Sequence, residues 1–130
     1  MRSVITGALG EKSAREFLER HGLQLVRKNF RASEVNPKAK GEIDLIMWHE
    51  KFLVFIEVKL RSITAFGDAI EMISDSKQSR LIQTATYFLQ SRGLYHNTYC
   101  RFDVIGLQPN PSNTSELKIT WIQDAFQVNY

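Results

Sequence analysis

A chain of 130 residues, 43% hydrophobic and 24% charged, has the length of one domain and can bury a core of its own, so neither disulfides nor a structural metal is needed for it to fold. Its single cysteine, Cys100, excludes an internal disulfide and a cysteine-based zinc cluster, and fits a reducing compartment. The formal net charge of +3 suits a nucleic-acid partner without requiring one, and the longest apolar run, Phe52 to Ile56, is far too short to span a bilayer. A cytoplasmic protein is expected, one domain over 1–130, with no membrane partner.

The N-terminal segment reads as a helix over about 8–21, with Gly10, Ala14, Phe17, Leu18 and His21 on one face at helical spacing and Gly22 as its stop. Glu11 stands at the edge of that face, where it can reach inward. LQLVRKNFR (23–31) reads as a strand of mixed exposure, followed by the loop SEVNPKAKG (33–41). Arg27, Lys28, Arg31, Lys38 and Lys40 crowd this region; a solvated basic surface and a phosphate-facing one are equally good readings of them. GEIDLIMW (41–48) and KFLVFIEVK (51–59) read as buried strands joined by a short turn near 49–51, an antiparallel hairpin.

A second helix is expected over about 75–92, capped by Ser74 or Asp75, with Leu81, Ile82, Ala85, Phe88 and Leu89 as its apolar positions. YCRFDVIGL (99–107) and ELKITWIQDAF (116–126) read as two last strands, paired across the loop QPNPSNTSE (108–116). A strand–helix–strand step around the second helix implies a right-handed crossover and a parallel pair. The fold class is therefore α/β, a mixed sheet of about five strands flanked by helices in the order α-β-β-β-α-β-β.

The stretch FIEVKLR (55–61) ends a hydrophobic strand on an acid and a base, and strand alternation points Glu57 and Lys59 to one side of the sheet. If the hairpin turns near residue 50, Asp44 lies across from about 56 to 57, so two carboxylates and an ammonium meet at one rim. Neighbouring carboxylates repel, and a hard divalent cation, Mg²⁺ or Mn²⁺, is the usual remedy. Such a site activates a water and neutralises charge building on a phosphate; Lys59 beside it would orient or deprotonate the water. Glu11 would add a third acid. The competing reading of the same residues is a buried ion-pair network that only closes the sheet.

Asp44 followed by Glu57-Val58-Lys59 resembles the D…ExK signature of the PD-(D/E)xK nuclease superfamily, whose core is restriction-endonuclease-like. More closely, GEK (10–12), RKNFR (27–31), GEIDLI (41–46), FIEVKLR (55–61), Phe66-Gly67, Lys77 and RFDVI (101–105) resemble the YraN-like bacterial family of predicted endonucleases over nearly the whole chain. That resemblance implies Glu11, Asp44, Glu57 and Lys59 as active-site residues, with Asp44 and Glu57 on the metal. Two departures stand out: Ile43 occupies the place of the superfamily's proline, and the connection RASEVNPKAKG (31–41) is longer than the family's usual one.

The resulting expectation is a metal-dependent nuclease acting on nucleic acid, DNA above all, with a resolvase-like, structure-selective enzyme as one form of it. Resolvases of that kind act as symmetric dimers, so a homodimer goes with that substrate. Lys38, Lys40, Arg61, Lys77 and Arg80 are the candidate contacts to the nucleic acid. The alternative is a non-catalytic nucleic-acid-binding or assembly module on the same fold; a third reading pairs the strand at ITWIQDAFQVNY with another copy or a partner. His21, His49 and His96 have no metal-ligand spacing. Glu42 is read as orienting its strand or pairing with a base, and Asp103 as pairing with Arg101 or supporting the second helix.

Overall fold

Strands that are apolar on both faces need cover on both, and the described residues supply one helix for each. The computed structural model describes residues 7–61, 73–110 and 112–128. Its elements are α1 (Gly7–Arg20), β1 (Gln24–Arg31), a 3-10 turn (Ala32–Glu34), β2 (Glu42–His49), β3 (Phe52–Leu60), α2 (Asp75–Ser91), β4 (Tyr99–Asn110) and β5 (Asn113–Phe126). The strands form one sheet in sequential order, β1-β2-β3-β4-β5. Only β3 and β4 run parallel, the pair that brackets α2, as the crossover argument requires.

Alternation along β2 and β3 divides the core in two. Ile46, Leu53 and Phe55 pack against Leu81, Ala85 and Phe88 of α2. Leu45, Met47, Val54 and Ile56 pack against Ala14 and Leu18 of α1. The Phe88 ring meets Phe30 and Phe55 edge-on, at 5.1 and 6.2 Å between centroids, which locks α2 to the sheet. Each helix ends where the sequence places its stop: Gly22 at φ +90° after α1 and Gly93 at φ +67° after α2, conformations that glycine adopts at no steric cost. Ser74 caps α2, its hydroxyl accepting from the Lys77 N–H at 3.2 Å.

The last hairpin differs from expectation. Most of the 108–116 loop is strand, with Gln108 paired to Lys118 and Pro109 to Leu117, and the chain reverses between Asn110 and Asn113. Proline is tolerated because the β3–β4 ladder ends at Leu60 and Leu107, so among the described residues no strand on that side asks residue 109 for an N–H. Phe66 and Gly67 lie outside the described residues. Among the described residues, no helix is long and apolar enough to cross a membrane.

Candidate functional site

The register of the β2–β3 hairpin is set by its turn. His49 and Phe52 close a two-residue connection in which Glu50 takes φ +55°, and the ladder runs from there to Leu45 opposite Ile56. One residue further, Asp44 faces Glu57. At that point the ladder gives way to a side chain: the Asp44 carboxylate, through Oδ2, accepts the Val58 N–H at 2.8 Å.

Glu57 is only 8% exposed, at the end of the apolar run of β3. Lys59, on the same side of the strand, brings Nζ to 3.7 Å from Glu57 Oε1. A second ammonium arrives from the first turn of α2, where Lys77 Nζ lies 2.9 Å from the same oxygen. The meeting of Asp44, Glu57 and Lys59 thus follows the sequence arithmetic. That Lys77 reaches the carboxylate itself was not legible, because it depends on how α2 is set against β3.

Burial pushes the Asp44 carboxyl up to about 7, the Glu57 charge beside it adds to the rise, and the Val58 hydrogen bond opposes it. Burial also holds Lys59 below the usual lysine range, helped by the contact with Lys77 and resisted by Glu57 and Asp44. Burial works against Lys77 as well, but its contacts with Lys59 and Glu57 outweigh that and raise it. Of the two ammoniums, Lys59 is the readier to give up its proton.

The carboxylates sit at the floor of a cleft of about 700 Å³ between α2 and the loop that follows β1. The loop is a closed structure: Ala32 N–H bonds Gly41 O at 3.0 Å across its base, and Arg27 Nη2 reaches both oxygens of Glu34 at 2.8 Å. The Arg31 N–H and the Arg27 guanidinium hold the Glu34 carboxyl below its ordinary range. Asn36 Nδ2 donates to the Tyr87 hydroxyl at 3.2 Å, tying the loop to α2. At the other end Gly41, at φ +133°, lies so close to α2 that a Cβ there would run into the Thr84 hydroxyl. Gly41→Ala should therefore lower the unfolding free energy by about 1–3 kcal/mol, through both the φ and the overlap. A urea midpoint equal to that of the wild type would show that the loop shifts freely.

Of the candidate nucleic-acid contacts, Lys40, Lys77 and Arg80 line the cleft. Lys38 is exposed on the loop but does not line it, and Arg61 stands past the end of β3 with its N–H bonded to Leu107 O at 2.8 Å. Arg31, one of the crowded basic residues but not among the candidate contacts, lines the cleft too, where β1 pairs it with Glu42 at the mouth of the β1–β2 connection. Glu42 also lines the cleft.

Glu11 is placed differently from the other three acidic and basic candidates. It belongs to the helix on the opposite face of the sheet and lines a smaller cavity, about 240 Å³, with Lys12, Arg15 and Lys28. Its charge still reaches Asp44, adding to the rise of that carboxyl. No group of three or more His, Cys, Asp or Glu suited to a metal ion occurs among the described residues; Asp44 and Glu57 are the pair of carboxylates at the floor of the cleft.

Comparison with known proteins gives a consistent result. Residues 10–107 match the family model described as Uncharacterised protein family UPF0102, a span that holds every candidate site residue from Glu11 to Arg80. A UPF0102 protein of Coxiella burnetii is 40% identical over 124 residues, 95% of this chain and 93% of the relative. One from Nitrosococcus oceani is 42% identical over 122 residues (94% and 91%), and one from Hahella chejuensis 43% over 126 (97% and 93%).

Proposed function

The chain belongs to the uncharacterised protein family UPF0102, and we propose that it is a divalent-metal-dependent phosphodiesterase acting on nucleic acid, with DNA as the substrate to try first. One observation carries this reading: Asp44, half-buried, and Glu57, buried, are held side by side at the floor of a cationic cleft, with Lys59 at their rim. Apolar replacements would close a sheet as well, so two acids kept together here against burial and mutual repulsion fit a ligand better than a structural role.

The donor set fits Mg²⁺ or Mn²⁺, hard cations that take one or two carboxylates and keep several waters. Asp44, pushed up to about 7, is a carboxyl that a cation would return to its ionised form. Asp44 and Glu57 would hold the metal. When bound, it acidifies water and offsets charge on a phosphate. Arg31, Lys40 and Arg80 along the walls bind the flanking phosphates and fix the backbone over the floor. Lys59, held below the usual lysine range by burial, orients the attacking water and takes its proton. Glu11 acts from the far face through its field.

Mn²⁺ titrated into the wild type should give a calorimetric binding signal, and divalent-dependent cleavage of DNA should follow. Asp44→Asn should lose the signal and lower cleavage by roughly 10²–10³-fold or more, with an unchanged circular dichroism spectrum. A second reading, a non-catalytic module that holds a backbone in the same cleft, draws on the two ammoniums already paired to Glu57. It expects salt-sensitive DNA binding that persists in EDTA and survives Asp44→Asn. Silence from the wild type toward metal, with that binding intact, would favour it.

A further inference from the structure

Glu57 presents one oxygen, Oε1, to two ammoniums, Lys77 at 2.9 Å and Lys59 at 3.7 Å. Asp44 attracts both ammoniums from farther off, but neither forms an ion pair with it, so the two crowd one oxygen of Glu57. The other cations of the cleft, Arg31, Lys40 and Arg80, form no ion pair with a carboxylate among the described residues. Lys77 is therefore the cleft cation that is turned away from incoming phosphate and onto the acid.

The two ammoniums differ in how they are held. Lys59 sits on β3, two residues from Glu57, with its side chain 20% exposed, and the strand fixes where it starts. Lys77 stands on the first turn of α2 with its side chain 38% exposed and the open cleft beside it, so rotation about its own bonds carries Nζ from the floor to the wall.

We infer that Lys77 is an internal counter-ion displaced by the divalent cation, and that its released ammonium moves to the phosphate backbone in the cleft. This rests on the metal reading above. A dication at Asp44 and Glu57 takes over the charge balance of Glu57 Oε1 and repels the ammonium nearest it. Lys77 then joins Arg31, Lys40 and Arg80 on the walls. Metal loading and backbone binding become coupled through one side chain, and the coupling is reciprocal: bound phosphate draws Lys77 off the floor and opens the site to metal.

The test is the affinity of Mn²⁺, measured by calorimetry without nucleic acid, for the wild type, Lys77→Met, Lys77→Gln and Arg80→Met, each checked for folding by circular dichroism. Removing any cation from the cleft favours a dication in a general way, and Arg80→Met measures that effect without touching Glu57. Both Lys77 variants should tighten Mn²⁺ about tenfold, and Arg80→Met by less than about twofold. Mn²⁺ should also strengthen wild-type binding of a phosphorothioate-linked oligodeoxynucleotide by a larger factor than in Lys77→Met. Equal tightening by Lys77→Met and Arg80→Met, or weaker metal binding without Lys77, overturns the inference and leaves the metal site standing. No Mn²⁺ binding by any of the four proteins overturns the metal reading itself, and the counter-ion role with it.

Discussion

Between pH 4 and pH 7 the wild-type protein should lose up to about 4 kcal/mol of folding stability that Asp44→Asn does not lose. A carboxyl raised from its ordinary 3.8 to about 7 binds its proton more tightly folded than unfolded. Its stabilising contribution is complete below pH 3.8, declines as pH climbs, and is gone above about 7, at about 1.4 kcal/mol per pH unit over the interval. Burial is the first cause and the Glu57 charge the second, so the protonated form is the one that the apo fold prefers. Asparagine keeps an oxygen to accept the Val58 N–H at 2.8 Å and never ionises.

Urea unfolding of both proteins at pH 5 and pH 8 reads the difference between them, in which other titrating groups largely cancel. Asp44→Asn should be the more stable at pH 8 by up to the full amount, and the gap should narrow at pH 5. Saturating Mn²⁺ should restore the wild type at pH 8 by about 3 kcal/mol at a hundredfold excess over the dissociation constant, and leave Asp44→Asn where it was. A wild type as stable at pH 8 as at pH 5, relative to the variant, would mean that Asp44 is better solvated than its place in the cleft implies. If Asp44→Asn both stabilises the fold and abolishes metal-dependent cleavage, it will carry the ordinary signature of an active site, where groups are kept for chemistry at the expense of the fold.

Much of this site was legible because a two-residue turn leaves little freedom of register. Once Glu50 and Lys51 are the turn, Asp44 must face Glu57, and alternation must put Lys59 on the same side. The parallel step between β3 and β4 was legible for a similar reason, since only a right-handed crossover carries α2 back over the sheet. What the sequence left open concerns elements that meet without being joined. The apolar face of α1 is plain in the spacing of Gly10, Ala14 and Leu18, but spacing does not say which side of the sheet the face covers, and Glu11 goes with it to the side away from the cleft. Lys77 reads as a surface residue of α2 until α2 is laid against β3. The long last hairpin was hidden by Pro109 and its Asn and Ser neighbours, which signal a loop wherever a partner strand does not override them.

Asp103→Ala should be the most damaging single substitution away from the cleft, at about 3–5 kcal/mol. The local sequences around Asp44 and Asp103, I-D-L-I and F-D-V-I, look alike, yet the two carboxylates live in opposite conditions. Asp103 is 1% exposed and fully engaged: Arg101 donates to Oδ1 from Nε at 3.0 Å and to Oδ2 from Nη2 at 3.2 Å. Trp121 Nε1 donates to Oδ2 at 2.9 Å, and the Asp124 N–H to Oδ1 at 2.9 Å. The same guanidinium also gives a hydrogen bond to His49 Nδ1 at 2.7 Å, so one acid ties β2, β4 and β5 together. Alanine would leave a buried guanidinium without its counter-charge and an indole and an amide N–H without an acceptor. Against a total stability of about 5–15 kcal/mol for a domain this size, that is enough to unfold much of the population at 37 °C. Urea unfolding checks it, and the double variant Arg101→Met with Asp103→Leu should recover part of the loss by removing both charges at once. A midpoint near wild type for Asp103→Ala would show that water replaces the carboxylate at little cost. Asp44 accepts a single backbone N–H and faces another acid, where Asp103 accepts from three residues and faces a cation. Removing the satisfied acid should break the fold and removing the unsatisfied one should relieve it, and that opposite sign would separate the acid that builds the sheet from one held at a cost to it.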